Sequence, residues 1–239
     1  KNFSSSDYLS NRPILIGEGQ TTSQPTLISD MLKILFKKYK KKNKIDFLDI
    51  GTGSGVVCAL VACYFRKNEI NTIIGIDKFN SLINKAKKNI QKIKSKKVPI
   101  DKIKFQTIDI YDIFKNNTLH PKTFDYIYVG AEPKTPADIH LFKEMIPSLL
   151  NPDGHAIAPI QGFLHLYHNE QWERLSISTR FVPLERKRIW RGGGDTKKQK
   201  QLIKDEYASR ISFKCKVYKG CKYPAVTGRD YQIYRHHLF

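Results

Sequence analysis

The stretch best suited to chemistry is Asp49-Ile50-Gly51-Thr52-Gly53-Ser54-Gly55, alternating glycines behind an acidic residue. Without side chains at those positions a ligand can lie directly on the backbone. Asp77 follows about twenty residues on, where a carboxylate can accept hydrogen bonds from both hydroxyls of a ribose. Alone, the glycines could form only a tight strand-to-helix turn, and Asp77 could only cap a helix. Together they favour a bound adenosine nucleoside. The G-x-G-x-G spacing is one residue tighter than the dinucleotide pattern, which argues against NAD. A second stretch, Gly17-Glu18-Gly19-Gln20-Thr21-Thr22-Ser23-Gln24-Pro25, gathers hydroxyls and an amide ahead of an apolar run. Ser23 can serve in capping the helix that starts at Pro25.

These residues need elements to hold them. Residues 13–19 read as a turn-rich loop. From Pro25, the residues Leu27, Ile28, Met31, Leu32, Leu35 and Phe36 recur at helical spacing, with Ser23-Gln24 supplying polar groups for capping. A short buried strand is expected over 46–50, the glycine loop over 51–55 and an apolar helix over 56–65. A second strand over 72–76 ends in Asp77, and Leu82, Ile83, Ala86, Ile90 and Ile93 mark the following helix. Further strands are expected at 104–108, 126–129 and 155–159, with a helix over 137–150. Strands alternating with helices predict an α/β fold, a mostly parallel central sheet with helices on both faces. Residues 191–204, glycine-rich then lysine-rich, read as a linker. They separate a main domain, 1–190, from a basic, aromatic extension, 191–239, expected to hold a hairpin or strand pair.

The D-x-G-x-G-x-G string resembles that of class I methyltransferases, which have a Rossmann-like fold. The resemblance implies S-adenosyl-L-methionine as cofactor, carried on Gly51, Thr52, Gly53, Ser54 and Gly55. It places Asp49 near the methionine amino end, Asp77 at the ribose and Ile108-Asp109 at the adenine, with Lys78 also among the cofactor-binding residues. Residues 124–130, ending in Gly130, resemble the strand beside the methyl group, with Asp125 there as either a turn residue or a contact.

A narrower resemblance follows. The segment from Gly17 to Pro25 resembles the G-x-G-Q-T-I-S-x-P signature of protein-L-isoaspartate O-methyltransferases, with Thr22 in place of the isoleucine. Val129-Gly130-Ala131, Asn151-Pro152-Asp153-Gly154 and Phe181-Val182-Pro183-Leu184 match further segments in order, Asp153 standing for a glycine. The likeness runs from about Tyr8 to Trp190; the family's preceding helical head and residues 191–239 find no match. It implies methyl transfer to the isoaspartyl carboxylates of damaged proteins and peptides by a monomeric enzyme, with Ser23 orienting the carboxylate and Thr22 and Gln20 shaping the pocket. Such an α-type carboxylate, with a pKa of about 3.5, is already ionised at neutral pH. It can attack the sulfonium methyl in one in-line displacement, so alignment rather than acid–base chemistry is asked of the protein, worth about 7–11 kcal/mol in favourable cases. The ester then collapses to a succinimide without further catalysis.

The net charge of +20 favours anionic partners, nucleic acid among them. Much of it lies in lysine runs at 37–44, 85–97 and 197–204. Solvated helix faces in a compositionally biased chain are the favoured reading, because the runs are separate and show no ordered interleaving with aromatics before residue 190. An RNA methyltransferase of the adenine-N1 type is the first rival, opposed by the Thr21-Thr22-Ser23-Gln24-Pro25 string. A non-catalytic adaptor is the second, opposed by the retained Ser23, Asp77 and glycine loop. An amino-group methyltransferase would carry N-P-P-Y where Val129-Gly130-Ala131-Glu132 stands. Cys58, Cys63, Cys215 and Cys221 form no dense disulfide framework. A zinc site from Cys215, Cys221, His236 and His237 has loose spacing, so no metal is expected. No apolar run approaches the roughly 18 residues of a membrane span. Lys1-Asn2-Phe3-Ser4 opens without an apolar leader stretch, and a cytoplasmic setting is expected.

Overall fold

The computed structural model describes residues 11–37, 44–113, 119–120 and 123–184. The expected linker and extension lie outside the described residues, as do Cys215, Cys221, His236 and His237. A small antiparallel hairpin comes first, β1 (Leu15–Gly17) and β2 (Gln20–Thr21), where the sequence suggests only a loop. Helix α1 (Pro25–Leu35) follows, then β3 (Ile45–Ile50), α2 (Val56–Tyr64), β4 (Ile70–Asp77), α3 (Asn80–Gln91) and β5 (Ile103–Thr107). After these come β6 (Phe124–Val129), β7 (Glu132–Pro133), α4 (Pro136–Leu149), β8 (Leu150–Ile160), β9 (Phe163–His168), β10 (Gln171–Ser178) and β11 (Pro183–Leu184).

Seven strands form one sheet in the order β10-β9-β8-β6-β3-β4-β5. The five from β8 to β5 run parallel, and β9 and β10 are antiparallel at one edge. Apolar strands buried on both faces are what a parallel sheet requires. Alternate residues point to opposite sides. Phe47, Ile73, Phe105 and Tyr128 pack with Met31, Val61 and Ile83 from α1, α2 and α3. Leu48, Ile50, Ile127 and Val129 pack with Phe142, Met145 and Ile146 from α4. The expected α/β fold with helices on both faces is therefore present.

Some details differ from expectation. Gln24, not Ser23, is the N-cap of α1, and it makes no side-chain cap hydrogen bond. Pro25 needs no N–H partner, so this start is tolerated without a cap. In α4 the Thr135 hydroxyl does cap, accepting the Asp138 N–H at 3.1 Å. The β8-β9-β10 meander extends the sheet past the strand expected at 155–159. It turns at Gln161-Gly162 and Asn169-Glu170, all four with positive φ. Among the described residues, no helix is long and apolar enough to cross a membrane.

The chain builds β3, β4 and β5 outward in one direction, then places β6 on the other flank of β3. A crevice opens where the strand order reverses, at the carboxyl ends of the strands. The Gly130 N–H donates to the Ile50 carbonyl at 2.8 Å, fixing the two lips of that crevice.

Candidate active site

The glycine loop leaves β3 at this crevice. Gly51 and Thr52 both donate N–H to the Ile76 carbonyl at 2.9 Å, tying the loop to β4. Gly53 has φ of +53°, and a Cβ there would lie 2.6 Å from Ile16 Cδ1. The β1–β2 hairpin thus rests on the loop at a glycine in the left-handed region, where a side chain would be strained and would displace the end of Ile16. Two hydrogen bonds hold the hairpin from the other side: Lys85 Nζ to the Ile16 carbonyl at 3.0 Å and Ser81 Oγ to Glu18 Oε1 at 2.6 Å.

Asp77 closes β4 and organises three segments. Its Oδ2 accepts the Gly53 N–H at 3.1 Å, its Oδ1 accepts the Phe79 N–H at 3.0 Å, and its carbonyl accepts the Ile108 N–H at 3.0 Å. Burial pushes this carboxyl above its ordinary pKa, while the two N–H donors oppose that shift. An ionised carboxylate has about four lone-pair sites, so it can still accept from further donors.

Asp49 lies beneath the loop at 1% exposure. Its Oδ2 accepts from Thr52 Oγ1 at 2.6 Å and from Cys58 Sγ at 3.4 Å. Its Oδ1 is buried without a hydrogen-bond partner among the described residues. Burial pushes its pKa up to about 7, against the hydrogen bonds from Thr52 and Cys58 and with a smaller contribution from the charge of Asp77. A cation brought close would restore the ionised form. The buried Cys58 thiol is pushed up as well, first by burial and then by Asp49, so it is an inert thiol rather than a nucleophile.

The crevice encloses about 550 Å³ including its open mouth. Of the residues singled out from sequence, Gln20, Gly51, Gly53, Asp77, Lys78, Ile108, Asp109 and Gly130 line it. Asp49 and Thr52 support it from beneath, and Gly55 packs under Phe105 and Ala86. The Ser54 carbonyl accepts from Asn89 Nδ2 at 3.1 Å. Thr22 and Ser23 sit half-buried just past the hairpin and outside the lining, with the Thr22 hydroxyl donating to the Ser23 carbonyl at 2.9 Å. Asp109 accepts the Tyr111 N–H at 3.1 Å and starts a short helical turn.

Sequence reasoning passed over Ile16, Phe79 and Ile110, which also line the crevice, as does Ala131 of the matched Val129-Gly130-Ala131 segment. Phe79 was the most findable, two residues beyond Asp77. Asp125 proves to be a strand-start residue at the opposite end of the sheet, accepting from the Asp46 N–H and from Asn151 Nδ2, both at 2.8 Å. The segment Val182-Pro183-Leu184 reaches the crevice because β11 pairs in parallel with β7. Buried Glu132 anchors that corner, accepting the Gly162 N–H at 2.6 Å and pairing with Lys134. Among the described residues, no group of three or more His, Cys, Asp or Glu side chains could hold a metal ion.

Comparison with known proteins gives a consistent picture. The family profile of the protein-L-isoaspartate(D-aspartate) O-methyltransferases matches residues 1–188. A Petrotoga mobilis protein-L-isoaspartate O-methyltransferase is 32% identical over 149 residues, 62% of this chain and 59% of that one. A second such enzyme, from Syntrophobacter fumaroxidans, is 30% identical over 64% of this chain and 52% of its own. The chain thus spans between half and two-thirds of the length of these relatives. A Plasmodium falciparum crystal structure in complex with S-adenosyl-L-homocysteine, described as a protein-L-isoaspartate O-methyltransferase, superposes with a TM-score of 0.57 at 28% identity, covering 73% of this chain and 80% of that one.

Proposed function

The chain belongs to the protein-L-isoaspartate(D-aspartate) O-methyltransferase family, and on that footing we propose that it methylates isoaspartyl carboxylates of damaged proteins and peptides from S-adenosyl-L-methionine. The observation that carries the reading is the seat of the signature hairpin: Ile16 packs on Gly53, bringing Gln20 to the same crevice as Asp77 and the glycine loop. A substrate-recognition segment and a nucleoside-binding loop share one wall.

The residues suit the cofactor. Asp77 has carboxylate lone pairs beyond those taken by Gly53 and Phe79, suited to ribose hydroxyls. The unpartnered, buried Asp49 Oδ1 is suited to the positive amino end. Lys78, Phe79, Ile108 and Asp109 offer an apolar slot with polar edges for adenine. Gly51, Gly53 and Gly130 leave bare backbone between them, with Thr52, Ser54 and Gly55 supporting the loop. S-adenosyl-L-methionine supplies an electrophilic sulfonium methyl when bound. The chain's own contribution is alignment. Ser23, with Thr22 and Gln20, orients the isoaspartyl carboxylate, which is already ionised and needs no base. We assign catalysis to residues 1–190 of a cytoplasmic monomer, with 191–239 as an extension.

The test is product isolation. An isoaspartyl peptide incubated with the protein and S-adenosyl-L-methionine should give a methyl ester that converts to succinimide, both read by mass spectrometry. Methylation confined to RNA, or no methylation by a protein that binds the cofactor, would overturn the proposal.

A further inference from the structure

In sequence the lysine runs at 37–44 and 85–97 are far apart, yet the topology brings their ends to one pole of the sheet. The helix joining two parallel strands must finish near the start of the second strand, so α2 and α3 both end at the pole opposite the crevice. The end of α1 is there too, since Phe36 packs edge-on against Phe65 at 5.0 Å and Tyr126 at 4.9 Å. Lys37 and Lys44, the two ends of one run, lie exposed at this pole. An ion pair of 3.0 Å between Lys67 and Asp101 brings in the connection that carries exposed Lys94, Lys96 and Lys97.

At this pole Tyr64 is 70% exposed, unusual for so large a ring. Its ring stacks on Phe36 at 5.8 Å with 9° between planes, and Phe65 stands nearly perpendicular to it at 4.9 Å. One face is therefore fixed by the core and the rest is offered to solvent. Attraction to helix C-termini explains a lysine in a last helical turn, such as Lys88. It does not explain lysines in connections or an outward aromatic ring.

We propose that this pole binds single-stranded nucleic acid, a base stacking against Tyr64 while Lys37, Lys94, Lys96 and Lys97 take the flanking phosphates. Base–aromatic stacking within a basic surround is how sequence-tolerant single-strand sites work. An interfacial membrane site would need a broad apolar face. Among the described residues here, the exposed large apolar side chains are Tyr64 and Leu60, one helical turn apart. The site is independent of the methyl-transfer reading, being at the other end of the sheet.

The experiment is fluorescence anisotropy of the full chain with a labelled oligouridylate across a salt series. Binding should weaken steeply with salt as phosphate counterions are released. At fixed salt Tyr64→Ala should weaken it about five- to a hundred-fold, and Tyr64→Phe should retain it. A combined Lys94→Ser, Lys96→Ser, Lys97→Ser variant should flatten the salt dependence and stands as a separate test if Tyr64→Ala does not fold. Unchanged S-adenosylhomocysteine affinity certifies each variant as folded. The proposal is overturned by absence of binding at low salt, by binding that ignores both variants, or by tighter binding to phosphatidylserine vesicles than to the oligonucleotide.

Discussion

Replacing Asp77 by alanine separates two things the carboxylate does. In the free protein it accepts N–H groups from Gly53 at 3.1 Å and Phe79 at 3.0 Å. A buried donor left without an acceptor costs about 1–3 kcal/mol, and the Phe79 N–H is only part-buried, so a stability loss of about 2–4 kcal/mol is expected. In the complex the carboxylate would also lose two hydrogen bonds from ribose hydroxyls. Hydrogen bonds to a charged group are worth about 1.5–3 kcal/mol each in favourable cases. Allowing for the looser loop and for water replacing the carboxylate, a net loss of about 1.5–3 kcal/mol in binding follows, or about ten- to 150-fold in Kd. Asp77→Asn keeps one oxygen acceptor and should fall between the two proteins on both scales. Calorimetry with S-adenosylhomocysteine reads the binding term, and urea denaturation without ligand reads the stability term. A folded Asp77→Ala protein with unchanged affinity would refute the ribose assignment, whatever its stability.

Asp49 gives a pH signature. Its folded pKa, about 7, exceeds the ordinary 3.8, so the stability it contributes is complete below about pH 4 and is lost as pH rises to about 7. Asp49→Asn should remove up to about 3 kcal/mol of the fall between about pH 5 and about pH 8, and urea midpoints with equal falls in both proteins would contradict this. Gly53→Ala forces a side chain into the left-handed region and onto Ile16 at 2.6 Å. It should cost about 1–3 kcal/mol in denaturation, and less when introduced into an Ile16→Val protein, which lacks the clashing Cδ1; no loss would mean the hairpin does not bear on the loop. Gln24 rather than Ser23 is the N-cap of α1, so Ser23→Ala should move stability by less than about 0.5 kcal/mol while lowering turnover on isoaspartyl peptide. Equal turnover at equal cofactor affinity would remove Ser23 from the proposed machinery.

The parallel core was legible because β3 and β6 are short apolar runs followed by glycine, and buried parallel strands carry that pattern. The β9–β10 hairpin was not. Histidines 165 and 168 blur the alternation in β9, and β10 is mostly exposed, so little apolar periodicity marks either strand. The glycine loop and Asp77 could be read because their spacing is a local consequence of one strand–helix–strand unit. Ile16 could not, since its importance comes from meeting Gly53 across 37 residues of chain. The same limit hid the basic pole: sequence shows the runs at 37–44 and 85–97 as separate, and only the alternation of helix and strand brings their described ends to the pole that carries Tyr64. Asp125 was ambiguous for the opposite reason, as a carboxylate at a strand start looks the same in sequence whether it binds a ligand or, as here, the Asp46 N–H.

The central claim is that this crevice recognises the isoaspartyl carboxylate itself. The most direct measurement is kcat/KM for methyl transfer to an isoaspartyl peptide and to its aspartyl twin, identical in composition and charge. A site built to align one carboxylate with the methyl should discriminate by a factor of about a hundred or more, since a misplacement of about 1 Å can cost about a hundred-fold in rate. Equal methylation of both peptides, or of neither by a protein that binds S-adenosylmethionine, would contradict the account.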